Sequence, residues 1–123
     1  MALTLATTMR DAIADAVTTR VGASATLEFQ TSGDAEVATL TLSSTPFGAS
    51  SSGVITLAGT PLSDTDATGG DMAKFVIKSG GTTTEITGTV STSNEDINFS
   101  GGISVTAGDT VQLTSFTITC PAS

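Results

Sequence analysis

The side chains able to do chemistry are few, and their spacing does not bring them together. The chain contains no histidine, which removes the commonest general base and a frequent zinc ligand at once. Its one cysteine, Cys120, rules out an intrachain disulfide framework and reads as a small buried apolar residue. Gly48-Ala49-Ser50-Ser51-Ser52-Gly53 has the composition of a nucleophile elbow without the G-x-S-x-G spacing, and no imidazole exists to activate a serine. Asp64-Thr65-Asp66-Ala67-Thr68-Gly69 opens like an EF-hand loop, but Phe75 stands where the bidentate Glu would be needed. Asx-turn chemistry accounts for that stretch; weak calcium binding, helped by Glu95 or Asp96 from another loop, is the lesser alternative. Asp11 and Asp15 lie one helical turn apart, as paired acid–base carboxylates can, but with no apolar pocket implied they read as a solvated polar face. Asn98-Phe99-Ser100 fits a glycosylation acceptor pattern, on a strand and without meaning in a bacterial cytoplasm. These residues supply no catalytic group, no cofactor-binding group and no metal ligand set, so an enzyme is the least supported class.

The elements that would position these residues begin with a helix, expected from about Thr7 to Val21. Leu5, Met9, Ala12, Ile13, Ala16 and Val17 recur at helical spacing. Thr7 or Thr8 can cap its start, Asp11 falls near the favourable end of the dipole, and Arg20 with Gly22 marks its end. A short alanine-rich helix is marginal alone. Its face of Met9, Ile13 and Val17 is therefore expected to pack on the sheet or on a neighbouring subunit.

After Gly22 the period changes to two. Ala25, Leu27 and Phe29 alternate with polar residues, Ser32-Gly33-Asp34 turns the chain, and Ala38, Leu40 and Leu42 alternate again, which predicts a hairpin. Phe47 is expected to plug the core edge. A short strand at Val54–Leu57 precedes a long loop over 59–71. Then Phe75 and Ile77 alternate, Ser79-Gly80-Gly81 turns, and Ile86, Gly88 and Val90 share a face. A glycine at 88 inside a strand implies a bulge or a close backbone approach. Short strands follow at Ile97–Phe99 and Ile103–Val105. The last runs from Thr110 to Cys120 with a phase slip at Ser115, where a bulge or bend is expected. Seven or eight strands at this spacing predict a mainly β protein: an antiparallel β-sandwich or jelly roll over 23–123, preceded by a helical segment over 1–22, in one structural domain.

Bulk composition narrows the partners. Roughly a third of the 123 residues are Thr or Ser, which suits strands. Five Phe and no Trp or Tyr leave the core to aliphatic residues. Twelve acids against four bases give a formal charge of −8. The bases, Arg10, Arg20, Lys74 and Lys78, form no run, so nucleic acid and anionic membrane surfaces are disfavoured as partners. The start shows no basic segment ahead of an apolar one, and no stretch approaches a membrane span. Synthesis and folding in a bacterial cytoplasm are the expectation.

Nearly the whole chain resembles a group of small proteins encoded among the structural genes of tailed bacteriophages. The resembling stretches are TTMRDAIADAV, TLEFQTSG, FGASSSGVITLAG, TPLSDTDATGG, AKFVIKSGGTTTEITGTVSTSNEDINFS and SVTAGDTVQLTSFTIT, in that order. The resemblance implies a virion component. It points first to a capsid decoration, or cement, protein on the outer shell, partnered by the major capsid protein and by copies of itself, a trimer being the form that symmetry matching suggests. A tail or neck component is the second implication. A host-surface binding module is a further class, weakened by the missing Trp and Tyr. The resemblance carries no site residues and no cofactor.

Overall fold

The computed structural model describes residues 3–121. Helix α1 spans Thr7–Val21. Its N-cap position falls on Ala6 rather than on Thr7 or Thr8, no side chain caps it, and Asp11 lies beyond the first turn. Arg20 does lie in the last turn, and Gly22, at φ 80°, closes the helix by donating its N–H to the Thr18 carbonyl at 3.1 Å. Only glycine takes that left-handed geometry without strain.

The face that α1 buries is not the one its spacing suggests. Ala14 and Val21 are buried and Val17 packs against the core, whereas Met9 and Ile13 remain 52% and 42% exposed. Of the expected trio, Val17 alone packs against the core, while Ile13 lies at the edge of a shallow groove beside it. An alanine-rich helix has little apolar contrast around its circumference, so polar anchors set its rotation. Arg10, Asp11 and Asp15 all bond to the loop before the first short strand pair.

The expected hairpin forms from β1 (Thr26–Gln30) and β2 (Glu36–Thr41), antiparallel with Leu27 opposite Leu40 and Phe29 opposite Ala38. Asp34, at φ 71°, turns the chain between them. On the other side β1 pairs with β6 (Lys74–Ser79), and β6 pairs with β7 (Thr83–Ser91). β8 (Ile97–Asn98) completes a sheet of order β2-β1-β6-β7-β8. The β7–β8 pair is parallel, against the all-antiparallel expectation. Asp96 causes this by accepting the Thr89 N–H at 3.0 Å, which folds the intervening turn back and sets Ile97 level with Val90.

The remaining strands form three two-stranded ladders. β3 (Val54–Thr56) pairs with β11 (Thr117–Thr119), β4 (Leu62–Asp64) with β10 (Val111–Leu113), and β5 (Gly70–Asp71) with β9 (Ser104–Val105). The stretch expected as a long loop therefore contains two short strands, β4 and β5. The phase slip at Ser115 divides the expected final strand into β10 and β11, which join different partners. The protein is mainly β with one N-terminal helix. Among the described residues its strands make one open five-stranded sheet and small ladders, eleven strands in place of seven or eight.

One core joins these parts. Ala14 and Val21 of the helix, Leu27, Phe29, Leu40 and Ile77 of the sheet, and Ile55, Val111 and Leu113 of the ladders lie in a single buried cluster. Phe47 is buried within it, its backbone bridging to Leu57. Phe75 meets Phe116 edge to face with centroids 5.4 Å apart, and Phe29 meets Phe99 in the same way at 5.4 Å. Gly88 sits directly opposite Phe75, and a Cβ there would overlap the Phe75 ring and lie 2.9 Å from the Asp96 carboxylate. The glycine marks a close approach. The bulge lies nearby, where the β6–β7 register shifts between Ile77 and Lys78. Gly88→Ala is expected to destabilise the fold by about 1–3 kcal/mol, the usual cost of overpacking, as read from the midpoint of urea unfolding.

Candidate functional site

The polar groups singled out in the sequence are used to hold the fold together. Asp11 accepts the Gly53 N–H at 2.7 Å, Asp15 accepts the Ser50 N–H at 3.1 Å, and Arg10 donates to the Ser52 carbonyl at 3.1 Å. The two aspartates are thus not a free solvated face, and the serine-rich loop is pinned to the helix by its own backbone. Gly53 is required at this contact: its φ is +79°, and a Cβ would lie 2.8 Å from the Cys120 carbonyl and 3.0 Å from Arg10 Cβ.

Asp64 makes the expected Asx turn, accepting the Asp66 N–H at 3.0 Å, and its second oxygen takes the Thr39 N–H at 2.9 Å. Glu95 and Asp96 bond instead to Thr89. Among the described residues no group of three Asp, Glu, Cys or His side chains is placed to hold a metal ion. Asn98 exchanges hydrogen bonds with the Glu95 backbone at 3.0 and 2.9 Å. Cys120 is half-buried rather than buried, and its N–H is donated to the Gly53 carbonyl at 2.8 Å. No described helix is long and apolar enough to cross a membrane.

What the chain leaves exposed and apolar is its N-terminal face. Leu3 is 76% exposed, and Met9 and Ile13 follow along the outer side of α1. Ile13 also lines a shallow groove of about 330 Å³ between α1 and β7, with Val17, Val21 and Ile86. Arg20 and Glu85 close its rim with an ion pair at 3.0 Å. Exposed apolar surface rimmed by polar groups marks contact sites on proteins. The helix as a whole is electrically neutral. Arg10 and Arg20 balance Asp11 and Asp15, so the whole charge of −8 lies outside the helix. Sequence periodicity identified Met9, Ile13 and Val17 as a packing face for the sheet or a neighbouring subunit, but could not show that Met9 and Ile13 stay largely exposed on the chain itself. The rim partner Glu85 carried no sequence signal, because its arginine is 65 residues away.

No family model, curated protein or solved structure matches the chain.

The Arg20 guanidinium, then the Ser79 hydroxyl at 2.9 Å, hold the Glu85 carboxyl below its ordinary value of 4.5. A carboxylate with a lowered pKa stabilises the fold fully above that ordinary value and loses the contribution as pH falls through the lowered one. Glu85→Gln is therefore expected to be less stable than wild type near neutrality, and the gap should close as pH falls through the lowered value; urea melts across an acid pH series measure it. Asp11→Ala is expected to cost about 1.5 kcal/mol, as for a hydrogen bond to a charged group, and to expose the Gly53 amide to hydrogen exchange.

Proposed function

We propose that this chain is a structural protein of a bacteriophage virion, a decoration or cement protein on the outer surface of the head shell. The observation that carries this reading is the combination of exposed apolar residues on the N-terminal segment and helix with polar groups engaged in holding loops and turns. Such a molecule is built to make contacts. The sequence resemblance to small phage structural proteins points the same way. In this reading the partners are the major capsid protein and further copies of the chain, the oligomer is a trimer over three-fold or quasi-three-fold positions, and the site of action is the capsid surface after synthesis in the host cytoplasm. The ladders β3–β11 and β4–β10 would serve as the second layer of a sandwich-like body. Many equivalent weak contacts then add through avidity.

The second reading is a tail or neck component, or a module that binds the host surface. Its support is the set of short ladders joined by loops, which can present contact residues. The absence of Trp and Tyr counts against it.

Deleting the gene should give shells that assemble but lose resistance to heat or chelators, because a ligand of the assembled state alone stabilises that state. Adding purified protein back should restore the resistance. Unchanged shells combined with lost adsorption to host cells would replace this reading with the second one.

A further inference from the structure

The arrangement of β7 and β11 leaves a gap between two strand edges. β7 is paired along one side with β6, but on its other side β8 reaches only Val90 and Ser91. Backbone groups alternate sides along a strand. Val90 donates toward β6, to the Ala73 carbonyl at 3.0 Å, while Thr89 donates the other way, to Asp96. The N–H and C=O of Thr87 therefore point away from β6, onto an edge that no described strand covers.

β11 mirrors this. Phe116 and Cys120 bond on the β3 side, to the Leu57 N–H and the Gly53 carbonyl, each at 2.8 Å. By alternation the backbone groups of Thr117 and Thr119 point away from β3. Thr87, Thr117 and Thr119 line one groove of about 270 Å³, together with the apolar side chains of Phe75, Ile86, Phe116 and Ile118. The groove thus offers unpaired backbone groups on both walls, with a mixed lining of Thr side chains, Asp96 and apolar side chains between them. An extended segment with apolar residues at alternate positions fits that description, since it can pair with both edges and set its apolar side chains on the lining.

We infer that this groove receives the N-terminal segment around Leu3-Thr4-Leu5 of a second copy of the chain. That segment alternates apolar and polar residues, precedes the helix in non-helical backbone, and leaves Leu3 76% exposed. It carries no side-chain charge, and the groove carries one, Asp96. In a chain of net charge −8 such a pairing adds little repulsion between copies. Because arm and groove are different surfaces, the contact is head-to-tail. Such a contact closes into a ring when the rotation allows. The inference rests on the reading of a self-assembling virion protein and names the contact that assembles it.

The test uses full-length protein, light scattering on a sizing column, and three variants. Deletion of residues 2–5 removes the arm. Leu3→Asp charges an exposed arm residue that the fold does not bury. Thr87→Pro removes an edge N–H that β6 does not use, which an edge strand tolerates. Wild type is expected to run as a closed oligomer and all three variants as folded monomers, each with one cooperative melt that lies below the wild-type one because assembly stabilises the folded chain. Mixing the arm deletion with Thr87→Pro should restore a one-to-one complex, since each supplies what the other lacks. A wild-type monomer at every concentration, or a deletion variant and Leu3→Asp variant that keep the wild-type mass, would overturn the inference. Shell binding, measured separately by co-sedimentation, separates the two claims. A monomer that still saturates shells defeats the arm contact alone, and an arm-linked ring that ignores shells defeats only the capsid reading.

Discussion

Phe75 is the residue on which the architecture turns. It projects from the middle strand β6 onto the space that Gly88 leaves empty on β7, and its ring meets Phe116 on the segment leading into β11. Phe116 in turn lies beside Phe47, 6.5 Å between centroids. Edge-to-face aromatic contacts of this kind add about 0.5–1.5 kcal/mol beyond the area they bury. Four of the five-stranded sheet's neighbours in the core, Phe47, Ile55, Phe116 and the helix residue Val21, belong to elements outside that sheet. Without the ring contact the segment leading into β11 would lose an aromatic link to β6, and the groove beside β7 would lose part of its lining.

The helix is held by a different kind of force. Its buried apolar contribution is small, essentially Ala14, Val17 and Val21. Three side chains on its polar side, Arg10, Asp11 and Asp15, bond to the backbone of residues 50–53 and fix its rotation. The consequence is functional. Once those anchors face inward, Met9 and Ile13 must face outward, and the chain presents an apolar, charge-balanced surface in an otherwise acidic molecule.

Much of the sheet was legible in the sequence because alternation survives wherever one face of a strand is buried. Leu27, Phe29, Leu40 and Ile77 all lie in the core at the positions their period predicts. Gly88 was legible for the same reason, as a glycine breaking a strand pattern that otherwise called for a side chain. Leu62–Asp64 and Gly70–Asp71 were not, being two or three residues long and polar enough to look like loop. The parallel β8 was hidden because its cause is the side chain of Asp96 reaching back to Thr89. The helix rotation was hidden because alanine makes most faces look alike. The helix face was half legible: Met9, Ile13 and Val17 were identified as a packing face, but which of them the chain itself buries depended on anchors 35 to 42 residues away.

A chain whose polar side chains secure its own turns, and whose helix leaves Met9 and Ile13 exposed, fits the proposed role of a virion structural protein. The most direct measurement of that account is the number of copies of this chain in purified particles, by quantitative protein staining against the major shell protein. The account predicts copies in fixed proportion to the shell subunits, on the scale of the shell itself. A handful of copies per particle, or none, would contradict it.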